Sequence, residues 1–265
     1  MLTVAALLIF ALLIVAAVRA ARRRRVPLLI LYLFLTLLCA VLLSFSFCYR
    51  AGEDARHALP ERDPVTIGIG TGFRFFDGPG EDTALIFYPG AKVESAAYAP
   101  LMTRIAAGGA DCFLVEMPLH FALFGVNASD RIIETHDYAN WVLAGHSLGG
   151  VAASSYAHAH TDTVAGIVLL ASYPTDKLQD LPYLSIYGDR DGVLNRDRYE
   201  KSRPLWPEGA EELVIPGGNH AQFGDYGPQR GDGEAAITMD EQQTLTADAI
   251  LRWIQTYISE EGKPA

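Results

Sequence analysis

The sequence predicts an α/β domain with a mostly parallel central sheet, preceded by an N-terminal two-helix transmembrane hairpin. Two observations carry this. Beyond residue 64, short β-rich apolar runs alternate with helical patterns, the signature of a sheet whose strands are joined by helical crossovers. Before residue 51 lie two long apolar runs separated by a knot of arginines. The charge distribution divides at the same place. Residues 1–50 hold six of the chain's 21 Lys and Arg and none of its 31 Asp and Glu, so residues 51–265 have a net charge of −16. A surface so acidic lacks the clustered basic face on which phosphate-backbone affinity rests, and nucleic acid is excluded as a partner.

Leu2 to Val18 is interrupted only by Thr3, and Val26 to Tyr49 only by Thr36, Ser44 and Ser46. As helices the runs would reach about 25 Å and about 36 Å, against a hydrocarbon core of about 30 Å. Pro27 falls in the first turn of the second run, where a missing N–H does no harm. The connection Arg19-Ala20-Ala21-Arg22-Arg23-Arg24-Arg25 suits a tight hairpin whose arginines stay cytoplasmic, which sends the rest of the chain to the outer face of the cell membrane. A cleaved signal peptide fits less well, because no basic residue precedes Leu2 and the four arginines follow the first run. Cys39 and Cys48 follow the bulky Leu38 and Phe47 and read as ordinary membrane residues; three cysteines make no disulfide framework and no metal-site spacing. The expected organisation is therefore residues 1–50 as the hairpin, in the bilayer through 2–18 and 26–49, 51–64 as a linker, and 65–265 as the α/β domain.

In that domain the sequence predicts strands at Gly72–Phe76, Ala84–Tyr88, Cys112–Glu116, Trp141–Ala144, Gly166–Leu170, Tyr183–Tyr187 and Glu212–Ile215. Helices are expected near Ala96–Ala107, Arg131–Tyr138, Gly149–His160 and Thr244–Ser259. The last shows Leu245, Ala249, Ile250, Trp253, Ile254 and Ile258 at helical spacing, with Asp248, Arg252 and Gln255 facing outward. Gly68-Ile69-Gly70-Thr71-Gly72 precedes a strand instead of joining strand to helix, so it reads as a turn and not as a phosphate loop.

The chemistry concentrates in Trp141-Val142-Leu143-Ala144-Gly145-His146-Ser147-Leu148-Gly149-Gly150, an apolar strand running through G-x-S-x-G into a helix of small residues. A nucleophilic serine in such a turn needs glycine two positions either side, because strand and helix approach closely there. Ser147 is then exposed at the C-terminal edge of the sheet, and the N–H of Leu148 points where an oxyanion would form. An acid and a histidine should follow, each after a strand. Gly188-Asp189-Arg190-Asp191-Gly192-Val193 offers Asp191, with Asp189 as the alternative; turn formation through a side-chain-to-backbone bond explains either one equally well. Gly217-Gly218-Asn219-His220 offers the base, His220. The order Ser147, Asp191, His220 distinguishes this arrangement from other serine hydrolases.

With these motifs in place, residues 65–260 resemble the α/β-hydrolase fold family, most closely its small single-domain members related to dienelactone hydrolases and carboxylesterases. The resemblance implies a second oxyanion donor in Tyr88-Pro89-Gly90-Ala91-Lys92, where relatives often have His-Gly after the strand; the backbone N–H of Ala91 is the expected donor. Dienelactone hydrolases proper use cysteine, and Ser147 shifts the implied chemistry toward hydrolysis of small-molecule carboxylic esters without metal or organic cofactor. The same triad serves acyltransferases and peptidases, and fold alone also accommodates a non-catalytic binding module. Many relatives insert a helical cap after the strand that ends here at Leu170, but only twelve residues separate Leu170 from Tyr183, which leaves the site open.

The remaining candidates have plainer explanations. His146 reads as a packing neighbour in the elbow, and His158 and His160, two apart on a helix, do not face each other. His57, His120 and His136 lack partners in sequence. Asp225 reads as a surface-turn residue, and Glu116 and Lys92 as candidates to line the pocket.

Overall fold

A computed structural model of the chain describes residues 2–45, 47–59, 63–80 and 82–259. The chain divides into two units, Met1–Cys48 and Tyr49–Ala265. The first contains α1 (Leu2–Arg22) and α2 (Val26–Phe45), turned by Arg24 at φ 52° and packed together, with Cys39 Sγ 3.8 Å from the Ala6 carbonyl. The two expected helices and their tight arginine turn are thus present. Among the described residues, however, no helix is long and apolar enough to cross a membrane. Side chains of the pair are described for residues 6–41 and for Leu43, a stretch shorter at both ends than the apolar runs of the sequence.

The second unit is built on one eight-stranded sheet in the order β1-β2-β4-β3-β5-β6-β7-β8. Its strands are β1 (Thr66–Gly70), β2 (Phe73–Asp77), β3 (Thr83–Tyr88), β4 (Asp111–Val115), β5 (Asn140–His146), β6 (Val164–Leu170), β7 (Tyr183–Gly188) and β8 (Glu211–Ile215). β2 runs antiparallel to both its neighbours, β1 and β4; β4, β3, β5, β6, β7 and β8 run parallel. Because successive side chains point to opposite faces, each central strand serves two cores. Leu85, Phe87, Val142, Ala144, Val168 and Leu170 face one core, with α4 (Ala99–Ala107) and α8 (Met239–Tyr257) packed on it. Ile86, Tyr88, Leu143, Ile167 and Leu169 face the other, covered by α5 (Ala128–Thr135) and α6 (Leu148–Ala159). Burial on both faces explains why β3, β5, β6 and β7 read as continuous apolar runs.

All seven expected strands are present to within two residues. β1 is an addition: the segment read as a glycine turn pairs with β2 from Thr66↔Asp77 to Gly70↔Phe73, and the turn itself is confined to Thr71-Gly72, where Gly72 has φ 85°. Glycines at alternate positions hid an edge strand, since they contribute no apolar signal. α5 begins and ends three residues earlier than expected. α8 begins at Met239 because Thr238 and Glu241 form a reciprocal capping box, with Thr238 Oγ1 accepting from Glu241 N at 3.2 Å and Glu241 accepting from Thr238 N at 2.8 Å. A short helix, α7 (Arg196–Ser202), was not expected; it is nearly all polar and buries only Tyr199 and Ser202.

The stretch read as a linker begins inside the second unit. Tyr49 forms a parallel bridge to Val93, and α3 (Glu53–His57) follows at once, with Ala51, Ala55 and Ala58 buried in the first core. Tyr49 N–H donates to the Lys92 carbonyl at 2.7 Å and Glu94 N–H to the Tyr49 carbonyl at 2.9 Å. Gly52 N–H donates to the Asp225 carbonyl and Ala55 N–H to the Asp225 carboxylate, both at 2.8 Å. Asp225, read from sequence as a surface turn, therefore caps the start of α3.

Candidate active site

The site is assembled at the C-terminal ends of β3, β5, β7 and β8. Ser147 lies between β5 and α6 with φ 53° and ψ −124°, a conformation costly for a residue with a side chain and maintained by its surroundings. Those surroundings are specific. Ser147 N–H donates to the Leu170 carbonyl at 2.9 Å, and Ser172 Oγ donates to the Ser147 carbonyl at 2.7 Å. The glycines do what their spacing implied: a Cβ on Gly145 would lie 2.6 Å from the backbone of Gly149 and Gly150, and one on Gly149 would lie 2.2 Å from the Tyr88 carbonyl oxygen. Because backbone carbonyls cannot move aside as a side-chain tip can, Gly149→Ala should lower stability by about 3 kcal/mol, the upper end of ordinary overpacking. A urea midpoint unchanged from wild type would show that β3 and α6 are not held this closely.

Asp191 and His220 are brought together. His220 Nδ1 lies 2.8 Å from Asp191 Oδ2, and both side chains are almost wholly buried. The other carboxylate oxygen, Oδ1, accepts from Val193 N at 2.8 Å and Leu194 N at 2.7 Å, which fixes the carboxylate plane. Asp189 is exposed and engaged otherwise, its Oδ1 accepting from Gly217 N at 2.7 Å. It ties the loop after β7 to the loop after β8, as a turn residue does. His220 Nε2 is buried without a hydrogen-bond partner, so no hydrogen bond joins it to Ser147 Oγ. In unliganded sites that contact is commonly long and tightens when substrate arrives.

The loop after β3 carries Gly90, Ala91 and Lys92. Gly90 N–H donates to the Tyr98 hydroxyl at 3.1 Å, whereas Ala91 N–H and Leu148 N–H donate to no other backbone group among the described residues. Lys92, at φ 59°, donates its N–H to the His120 carbonyl at 2.7 Å. His120, which had no partner in sequence, therefore contributes through its backbone. Glu116 pairs with Arg74 at 3.1 Å. Between β6 and β7 there is no helix.

Several positioning residues escaped the sequence reading. Asp232 accepts from Gly192 N at 3.1 Å, His220 N at 3.2 Å and Ala221 N at 2.8 Å, joining the Asp191 loop to the His220 loop. Gln242 on α8 forms a two-way bond with the Asn219 backbone, at 2.9 and 2.8 Å. Neither has a local signature, because each acts on a loop distant in sequence. A cleft of about 580 Å³ is walled by Asn219, Gln222, Asp225, Asp232 and Met239, beside the base loop; Ser147 is not among its walls. Among the described residues no group of His, Cys, Asp and Glu is arranged to hold a metal.

His146 is buried to 1% exposure, with Nδ1 2.7 Å from the Tyr98 hydroxyl and its ring centroid 4.4 Å from that of His220. Burial, and then the neighbouring His220, hold its pKa well below the usual value. Below about pH 6.5 the unfolded chain binds a proton here that the native protein refuses, so stability is full above that pH and falls as pH is lowered. The expected slope from this residue is up to about 1.4 kcal/mol per pH unit. Urea midpoints between pH 5 and 7 should fall less steeply in His146→Asn; parallel profiles would show that His146 takes up its proton in the folded state.

A mostly parallel sheet in this strand order, with serine at the elbow after β5, acid after β7 and histidine after β8, defines the α/β-hydrolase class. The profile of the Alpha/beta hydrolase family matches residues 84–244, and the chain belongs to that family. Among solved structures, a dienelactone hydrolase from Anabaena variabilis superposes with a TM-score of 0.55 at 14% identity, covering 74% of this chain and 99% of that one. Est1E from Butyrivibrio proteoclasticus gives 0.52 at 14% identity, over 72% and 98% of the two chains. A soluble variant of monoglyceride lipase from Saccharomyces cerevisiae, bound to a substrate analogue, gives 0.54 at 12% identity, over 76% and 99%. At these identities the likeness is one of fold. No curated protein sequence matches the chain.

Proposed function

We propose that the protein is a serine hydrolase of small-molecule carboxylic esters, acting through Ser147, His220 and Asp191. The observation that carries this reading is the buried 2.8 Å bond between His220 Nδ1 and Asp191 Oδ2, which leaves Nε2 without any other partner. Asp191 holds the proton of His220 on Nδ1, so Nε2 is free to accept the Ser147 hydroxyl proton as Oγ attacks the ester carbonyl carbon. The tetrahedral oxyanion receives the N–H groups of Leu148 and Ala91. Its collapse breaks the bond to the alcohol oxygen, which takes the proton from Nε2. Water, deprotonated by the same nitrogen, then attacks the acyl-enzyme and releases the acid, restoring Ser147.

The decisive test is fluorophosphonate labelling of the full chain in detergent beside Ser147→Ala. Labelling of the wild type alone, suppressed by a p-nitrophenyl ester, is expected; a folded wild type that does not label would overturn the reading.

The chain's place is the cell membrane. On the helical pair Leu8, Leu12, Ile30, Phe34 and Leu37 are each more than 60% exposed, a density of apolar surface that water does not favour and lipid does. In this reading the apolar runs 2–18 and 26–49 are the segments that meet the bilayer, with the arginine turn cytoplasmic and the catalytic unit on the outer face. A cysteine introduced near residue 265 should react with an impermeant maleimide in intact cells; reaction only after lysis would reverse the orientation.

A further inference from the structure

Tyr98 and His146 have no step in acyl transfer, yet both are wholly buried at its centre. The Tyr98 hydroxyl has two partners, Gly90 N at 3.1 Å and His146 Nδ1 at 2.7 Å. A backbone N–H can only donate, so the hydroxyl accepts from Gly90, and His146 Nδ1 is the partner left for the hydroxyl's own proton. In that arrangement His146 is the neutral tautomer with its proton on Nε2, which is buried without a hydrogen-bond partner. Burial raises the Tyr98 hydroxyl far above its usual pKa, which keeps that proton in place.

The flanking contacts extend the pair in both directions. A Cβ on Gly90 would lie 2.9 Å from both the Tyr98 oxygen and His146 Nδ1, so glycine there permits the approach of the peptide. Gly90 immediately precedes Ala91, the expected second oxyanion donor. On the other side the His146 ring lies 4.4 Å from the His220 ring and 5.5 Å from that of Phe223. Tyr98 is supported in turn by Phe87 at 4.9 Å.

We propose that Tyr98 and His146 are a positioning pair, one hydrogen-bonded unit that sets the oxyanion loop and the base His220 in register with each other. With Gly90 N–H committed to Tyr98, the next peptide, that of Ala91, is the one presented to the oxyanion. The neutral His146 ring supplies a fixed surface beside His220 without placing a second positive charge against the imidazolium. The inference rests on the hydrolase reading above.

The test uses the full chain in detergent and a p-nitrophenyl ester. Tyr98→Phe keeps the ring and removes both hydrogen bonds; kcat should fall 10- to 100-fold with KM changed less than threefold, and fluorophosphonate labelling should slow in proportion. His146→Asn retains an acceptor near the position of Nδ1 and should keep a third or more of kcat, whereas His146→Leu should fall with Tyr98→Phe. The double variant Tyr98→Phe, His146→Leu should be no slower than the worse single variant, as expected of one unit. If Tyr98→Phe does not fold, the ratio of His146→Asn to His146→Leu decides: threefold or more supports the pair, and equality overturns it. Wild-type kcat and labelling in Tyr98→Phe, or multiplicative losses in the double variant, would also overturn it while leaving the hydrolase intact. A wild type that fails to label removes both readings together.

Discussion

Alanine at position 147 is expected to lower kcat for a p-nitrophenyl ester about 10⁶-fold, the scale seen when a triad serine is removed. The fold should survive. Ser147 sits at φ 53°, and alanine meets that strained conformation at much the same cost, while the bonds that hold the elbow are made by the Ser147 backbone and not by its hydroxyl. The residual rate should still exceed that of water, because the proposed oxyanion N–H groups of Leu148 and Ala91 and the binding surface are untouched. Turnover measured beside a denaturation curve separates the two effects. A variant that keeps more than a hundredth of wild-type kcat would place the nucleophile elsewhere.

Asp191→Asn carries the second largest effect, a fall in kcat of about 10⁴-fold. The geometry says why. Asp191 Oδ1 accepts two backbone N–H groups, so asparagine must place its carbonyl oxygen there and its amide nitrogen where Oδ2 was. That nitrogen donates to His220 Nδ1, drives the imidazole proton to Nε2, and presents Ser147 with a donor where it needs an acceptor. Asp189→Asn keeps an acceptor for Gly217 N and lies outside the His220 contact, so its kcat should stay within tenfold of wild type. The pair decides the assignment that the sequence left open between the two carboxylates. Equal losses at 189 and 191 would show that both act through the shape of the loop.

The readable parts of this protein were those whose signals are local. Gly145, Ser147 and Gly149 mark a strand-to-helix elbow within five residues, and the runs that became β3, β5, β6 and β7 are apolar on both faces because the sheet is covered on both sides. His220 could be found because a strand and a glycine-rich loop precede it. The parts that were not readable depend on contacts across the chain. Tyr98 acts on Gly90 and His146, Asp232 on the acid and base loops, and Gln242 on Asn219; each is an ordinary residue in its own neighbourhood. β1 was hidden by glycines and α7 by its lack of an apolar stripe. Residues 51–58 misled for a related reason. They read as part of a linker, while Ala51, Ala55 and Ala58 are buried in the first core.

The first residues of the second unit work as a fastener. Tyr49 and Ala51 grip the segment Lys92–Glu94, Gly52 and Ala55 grip Asp225, and the Tyr49 hydroxyl accepts from Arg230 N at 3.4 Å. One short piece of chain thus fastens the stretch after Ala91 to the stretch after His220. It is also the piece that continues directly from Cys48, the last residue of the first unit. Tension on residue 48 is therefore borne first by the hydrogen bonds that hold the stretches after Ala91 and His220, before any strand of the sheet feels it. Trimming the chain at residue 65 would unfasten both loops, whereas a cut between Cys48 and Tyr49 would leave the fastening whole.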